Sequence, residues 1–374
     1  MSQAVQLQNY HEKNGHLVEF AGFTLSLWFK GINVESVAVR NAAGVFDVSH
    51  MGRAIIRGRE SQKLLNMITT NDVASLENMQ GQYSLICNDK GGIEDDVLVF
   101  RLKDEEHLVV FNAANRRKDL DWIMTNSRGL DVETEDISGR VAMFAVQGPK
   151  ARGVVQSLST NELLGIPRFG CSWAQVAGLK CLVSRTGYTG EDGFEVFVWD
   201  SPTEDPASAE AVWDRLLEAG KSVGLEPCGL GARDVLRLEA GLCLYGTDMD
   251  ENTNPYEARL GFVVKLSKRF IGREKLEAVK EKGPSKVRVG VMTEQRVIPR
   301  HGFQILRGAT VVGSITSGSL SPTLKTGIAM GYVETGAADE GTELDLRVRD
   351  RTEKVKVVKP PFYDRTRYGY SRKT

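Results

Sequence analysis

Ser184 to Val198 reads SRTGYTGEDGFEVFV. Gly187 and Gly190 set two tight turns against an acidic loop, Glu191-Asp192-Gly193, and a strand follows in which Glu195 is the one acid. Period-two alternation puts Phe194, Val196 and Val198 on one face of that strand and Glu195, Phe197 and Trp199 on the other. A carboxylate among large apolar neighbours is costly unless something hydrogen-bonds to it. A flat heterocycle with two adjacent N–H donors would do so, because an ionised carboxylate accepts two bonds side by side. A strand-edge Glu after a hairpin turn is the plainer alternative, and this stretch alone does not choose between them.

The rest of the chain bounds the answer. At 374 residues it is too long for one ordinary core, so two or three domains are expected. Its 41% hydrophobic and 26% charged content is that of a globular protein, and a net charge of −1 gives no reason to expect nucleic acid. Lys265–Arg300 and Lys354–Lys373 are locally basic, either as solvated faces or as docking sites for an acidic partner. Cysteines at 87, 171, 181, 228 and 243 form no CxxC pair, which suits a reducing cytoplasm. No apolar run approaches the roughly 20 residues of a membrane helix. The opening MSQAVQLQNYHEKNG resembles neither a secretory signal nor a transit peptide. The expectation is a cytoplasmic protein that does not engage a membrane.

Hydrophobic spacing predicts a helix over Ser61–Thr69 with Leu64, Leu65 and Ile68 inward, and strands over Asp96–Leu102 and His107–Phe111. It predicts a second helix over Asn115–Asn126 with Leu120, Ile123 and Met124 inward, all within a compact α/β block at about 51–139. A strand at Val141–Val146, a helix at Lys150–Leu158, a loop at Asp200–Ala207 and a helix at Ser208–Ser222 follow; Val212, Leu216 and Leu217 of the last point inward. From Lys286 the pattern becomes short strands divided by Gly and Pro, a small antiparallel barrel or sandwich joined through the break EKGPS at 281–285.

Several groups of residues carry chemistry. In GGIEDDVLVF, Gly91 to Phe100, an extended chain points Asp95 and Asp96 to opposite sides; turn chemistry after Gly-Gly is the alternative. In GLGARDVLRLEAG glycines open a helix, and the Arg233 guanidinium suits a carboxylate; Arg237, one turn on, could share that role. Surface pairing of either Arg with Asp234 is the plainer reading. GLGARD lacks the third Gly of a dinucleotide fingerprint. DMDENTNP at 248–255 imitates a calcium loop, but Thr253 and Arg259 occupy the positions of the loop Gly and Glu, so Asp248, Asp250 and Glu251 read as a capped, solvated loop. The histidines at 11, 16, 50, 107 and 301 lack zinc spacing, and His50 reads as a hydrogen-bonded structural residue. No cysteine or serine motif suggests a covalent nucleophile.

GYTGEDGFE at 187–195, FDVSHMG at 46–52, GGIEDD at 91–96, VQGPKA at 146–151, GLGARDVLRLEA at 229–240 and TSGSLSPTL at 316–324 together resemble the glycine cleavage aminomethyltransferase (T-protein) family, in the family's order and through the KPPF segment at 359–362. The resemblance implies an α+β fold of three domains in a ring. These are a discontinuous α/β first domain (1–50 and 140–280), a ferredoxin-like insert (51–139) and a C-terminal antiparallel β-barrel (286–374). It implies transfer of a methylene carbon from the aminomethyl-lipoyl arm of H-protein to tetrahydrofolate, as co-substrate and without a metal, by a monomer. Asp96 is then the catalytic carboxylate and Glu195 the pterin anchor. Tyr83, Val110, Asn112, Tyr188 and Met51 line the folate pocket, Arg233 meets the folate carboxylate tail, and Tyr368 falls near a ligand-contact position. The alternative within the fold is another tetrahydrofolate-dependent demethylase. FAGFTLSLWF at 20–29 departs from the family pattern, with Phe23 for Trp and Ser26 for Pro, which puts local packing in question.

Overall fold

The computed structural model describes residues 2–294 and 297–372. Strand Gly193–Val198 lies third in a six-stranded sheet ordered Cys171–Val176, Leu179–Ser184, Gly193–Val198, Ala142–Gln147, Ala43–Asp47, Leu225–Pro227. All its neighbours pair antiparallel except the last two, which are parallel. The alternation of the strand sorts its side chains as the sequence requires. Phe194, Val196 and Val198 pack under helices Ala151–Ser157 and Ala207–Gly220, against Val154, Val155, Val212, Trp213 and Leu216. Phe197 faces the other way.

That other face meets a second sheet. Five antiparallel strands run in the order Gln80–Cys87, Ile93–Lys103, Glu106–Phe111, Gly52–Arg57, Glu133–Asp136. The last four have the ferredoxin-like order, and Gln80–Cys87 adds one edge strand. Ile55, Phe100, Leu108 and Val110 interleave with Phe46, Met143, Ala145, Leu182 and Phe197 of the first sheet. On the far side Val97, Val99 and Val109 lie under helices Ser61–Ile68 and Arg116–Asn126 through Leu64, Leu65, Ile68 and Ile123. Met124, expected inward, is 49% exposed: Ile123 takes the core position, and the neighbouring residue on a helix points elsewhere.

From Lys286 six antiparallel strands close into a barrel, Lys286–Thr293, Thr326–Glu334, Thr310–Ser321, Gln304–Arg307, Glu343–Val348 and Arg351–Val358. Helix Arg273–Lys282 runs into the 281–285 segment and ends at Gly283, just before the first barrel strand. Among the described residues no helix is long and apolar enough to cross a membrane.

Two buried ion networks lock these bodies together. Arg40 reaches Glu191 and Glu239 at 2.9 and 2.8 Å; Glu239 in turn accepts from Ser321 and Thr323 of the barrel. Glu191 also pairs with Arg372 and accepts from the Gly369 amide at 3.0 Å. In the second network Arg237 pairs with Asp234 and, at 2.5 Å, with Asp248; Asp248 accepts from Thr316 and Ser317. Asp248 is therefore not a solvated loop residue but 1% exposed, held there because a buried guanidinium and two hydroxyls meet its charge. Arg237 is likewise no surface pair, being 2% exposed. Removing one partner from such a buried pair costs roughly 3–5 kcal/mol. The TSGSLSPTL motif is thus a junction: Thr316, Ser317, Ser321 and Thr323 serve both networks.

The N-terminal hairpin, His16–Phe20 with Phe23–Trp28, keeps its packing despite its departures from the family pattern. Phe23 and Leu25 are buried, and Ser26 bonds His11 Nδ1 at 2.8 Å; His11 Nε2 meets Asp47 at 3.0 Å.

Candidate active site

The facing sheets part at one end, and the barrel and helix Leu230–Ala240 close over the gap to leave a cavity of about 1830 Å³. Strand register explains which side chains reach it. Tyr83 pairs with Leu98, Leu98 with Val110, and Leu85 with Asp96, so Tyr83, Asp96, Leu98 and Val110 share one face of the insert sheet. Asn112 lies two residues beyond Val110, on the same side. Glu195, paired with Ala145 and flanked by Phe197, looks into this space from the opposite sheet.

Asp96 is held by two donors: Tyr83 Oη at 3.0 Å on Oδ2 and Asn112 Nδ2 at 2.8 Å on Oδ1. Burial, with Asp95 adding to it, pushes its carboxyl up to about 7. Tyr83, itself pushed well up by burial and by Asp96, stays a phenol and so remains a donor. Asp95 points away, as alternation requires, and accepts from the Asn112 amide at 3.0 Å and from Asn112 and Asn115 Nδ2 at 2.8 Å.

Glu195 is 4% exposed. Its Oε2 accepts from the Thr186 hydroxyl, and among the described residues no donor meets Oε1. Burial raises its pKa, while Thr186 and Arg233 pull the other way. The Arg233 guanidinium lies 4.8 Å from the centre of the Tyr188 ring, and its Nη1 is buried without a partner among the described residues. Tyr188 is fixed through its hydroxyl, which donates to the Cys243 carbonyl. Glycine is required at two positions around it. Gly190 has φ +77° and would bring a Cβ to 2.2 Å from the Tyr363 hydroxyl; a Cβ on Gly193 would meet the Val146 carbonyl at 2.2 Å. The acidic loop between them is structural: Glu191 belongs to the Arg40 network, and Asp192 pairs with Arg152 and Arg185.

Residues 7–268 match the GCVT N-terminal domain, and residues 286–364 match the glycine cleavage T-protein C-terminal barrel domain. The chain is 45% identical to the aminomethyltransferase of Alkaliphilus oremlandii over 359 residues, 96% of each chain. It is 39% identical to the probable aminomethyltransferase of Pyrococcus horikoshii across the whole of both chains, 100% of each. The crystal structure of the glycine cleavage system aminomethyltransferase T from Bartonella henselae superposes with a TM-score of 0.90 at 31% identity, covering 99% of this chain and 100% of that one.

This chain belongs to the glycine cleavage T-protein family of aminomethyltransferases.

Of the residues singled out in the sequence, Asp96, Glu195, Arg233, Tyr83, Val110, Asn112, Tyr188 and Met51 all line the one cavity. Tyr368 does not; it packs against Tyr363 at 6.3 Å between ring centres, and Tyr370, two residues on, lines the cavity under the Arg168 guanidinium. His50 also lines the cavity, and among the described residues its Nδ1 has no hydrogen-bond partner, contrary to the expectation of a hydrogen-bonded structural residue. It sits edge-on to Phe20, and burial, then Arg233, lowers its pKa to about 3, so the ring stays neutral.

Thr186 was missed. Glu195 pairs with Ser184, so a residue two beyond Ser184 faces the same way, but that pairing is register between strands, which the sequence pattern does not carry. Gln147 was missed as well; its Nε2 holds the Thr186 carbonyl at 3.0 Å from behind. Among the described residues no group of three or more His, Cys, Asp or Glu side chains is placed to hold a metal.

Proposed function

We propose that this cavity moves a methylene carbon from an aminomethyl group on the lipoyl arm of an H-protein to tetrahydrofolate. The carbon–sulfur bond breaks and sulfur leaves as the thiol; nitrogen leaves as ammonia; carbon becomes bonded to N5 and N10, whose two hydrogens pass to sulfur and nitrogen. The observation that carries this reading is the pair of carboxylates facing each other across the gap, one saturated by protein donors and one half-met.

Glu195 anchors the pterin through its ring N–H and 2-amino group, and the unmet Oε1 fits that donor pair. Arg233, with a buried Nη1 lacking a partner, fits an anionic or acceptor group of the same substrate. Val110, Met51 and Tyr188 supply the apolar walls. Tyr83 and Asn112 orient Asp96, whose negative charge stabilises the cationic carbon–nitrogen species formed in transit. With its pKa near 7, Asp96 can also take and return a proton during ring closure.

The domain division adopted is 1–50 with 140–280, then 51–139, then 286–374. The setting is a cytoplasm, and the protein acts as a monomer. The basic runs after Lys265 and Lys354 meet an acidic H-protein surface; Arg296 and Lys373, which belong to those runs, lie outside the described residues. Raising ionic strength from about 0.05 to about 0.3 M should therefore raise KM for H-protein several-fold. A salt-independent KM would remove the basic runs from docking.

The deciding assay measures methylene-tetrahydrofolate formed from aminomethyl-loaded H-protein and tetrahydrofolate. Product establishes the reaction. A folded, folate-binding chain that yields none would move the assignment to a demethylase of the same fold.

A further inference from the structure

Behind Asp96 lies a third carboxyl that the transfer reaction does not touch. Asp119, on helix Arg116–Asn126, is 1% exposed, and neither of its oxygens meets a donor among the described residues. Asn115, one helical turn earlier, donates to Asp95 at 2.8 Å, and the Asp119 carboxyl adjoins that of Asp95. Asp95 is fully buried and accepts from Asn112 and Asn115, and the same Asn112 amide nitrogen that donates to Asp95 at 2.8 Å donates to Asp96 at 2.8 Å. Two buried carboxyls and a half-buried one thus stand in a line, Asp119–Asp95–Asn112–Asp96. The nearest cation, Lys118, is committed to Glu94 at 3.3 Å, to the Glu94 carbonyl and to the Tyr245 hydroxyl at 3.0 Å. Two carboxyl groups in contact cannot both be ionised at acceptable cost in such a site, so one keeps a proton.

We propose that Asp119 is a positioning residue of the transfer reaction: its carboxyl group, kept as the acid, donates to Asp95 and so holds Asn112 against Asp96. This rests on the reaction proposed above. Asp119 is the member that retains the proton, because burial first and Asp95 next push it up to about 11. Asp95 already has amide donors for an ionised carboxylate, so the arrangement is self-consistent: acid, then anion, then amide, then the reacting carboxylate. The charge kept on Asp95 helps to raise Asp96 toward neutrality. The other titratable or charged groups facing the line are Tyr83, Tyr188 and Cys243 on the cavity side, and Glu94, Lys118 and Tyr245 on the helix side. Burial holds the three tyrosines and Cys243 protonated, and Lys118 stays a cation, so none of them titrates near neutrality.

Infrared difference spectroscopy of wild type against Asp119→Asn, at about pH 8 and without substrate, reads the proton directly. A carbonyl-stretch band of a protonated carboxyl is expected, and its absence overturns the proposal whatever the enzyme transfers. In the transfer assay Asp119→Leu should lower kcat about tenfold or more with KM for tetrahydrofolate nearly unchanged. Loss of the donor releases Asn112 from Asp96, a hydrogen bond that holds the Asp96 pKa down, so the acid limb of the kcat profile should move up by about one pH unit. Asp119→Asn, which can still donate, should rescue most of kcat and restore the limb. Equal losses in both variants, or an unmoved limb in Asp119→Leu, overturn the positioning role. If Asp119→Leu does not fold, the infrared result on wild type and Asp119→Asn still decides. A wild type that shows the band but makes no product refutes the reaction while leaving the hydrogen bond standing.

Discussion

Asp96 and Glu195 are both carboxylates with raised pKa values, the first half-buried and the second buried, looking into one cavity from opposite sheets, yet their surroundings differ in kind. Asp96 has a protein donor on each oxygen and a negative neighbour. Glu195 has one hydroxyl donor and a positive neighbour. A carboxylate completed by its own protein has no need of a ligand, and a nearby charge tunes it for protons and developing charge. A carboxylate left half-met gains from a ligand that completes it. On the function proposed above, Asp96 of the insert sheet would then serve the chemistry and Glu195 of the six-stranded sheet the recognition.

The strongest way to break this division is Asp96→Asn. It should cut kcat by roughly 10²–10³, as removal of an electrostatic stabiliser does, with tetrahydrofolate affinity within about threefold of wild type. Single-turnover kinetics alongside equilibrium folate binding separates the two effects, and a loss confined to affinity would reverse the roles. Glu195→Ala should do the opposite, weakening tetrahydrofolate binding by about 2–3 kcal/mol while kcat at saturation falls only a few-fold. Titration calorimetry checks it, and unchanged affinity would take Glu195 out of recognition.

The smallest effect is on stability. The Asp96 pKa is raised on folding, to about 7, so its contribution is fully present below the unfolded carboxylate pKa and is lost as pH rises through about 7. Asp96→Asn should accordingly be more stable than wild type by about 1–3 kcal/mol near pH 8 and lose that advantage near pH 5. Urea unfolding at the two pH values sharpens the comparison.

The two sites were unequally legible in the sequence. Alternation alone put Glu195 with Phe197 and separated Asp95 from Asp96, because a strand has one periodicity and no choice about it. That Asn112 touches both aspartates depends on where one strand stops against the next, and single-strand patterns carry no register between strands. Asp248 and Arg237 looked like surface residues because charge in a short polar stretch usually means solvent; both are met by Ser317, 69 and 80 positions later. Tyr368 lies outside the cavity, which Tyr370, two residues along, lines; spacing in the tail is not legible from a motif further upstream.

The Arg40–Glu191–Arg372 knot bears on how the protein is made. Arg40 leaves the ribosome early and Arg372 follows 332 positions later. Both sheets can be assembled by then, but the turn that presents Tyr188 still has Glu191 lacking its last cation and the Gly369 amide. The loop between Tyr188 and Glu195 therefore gains its last partners only once residue 372 has emerged, long after the strands around it.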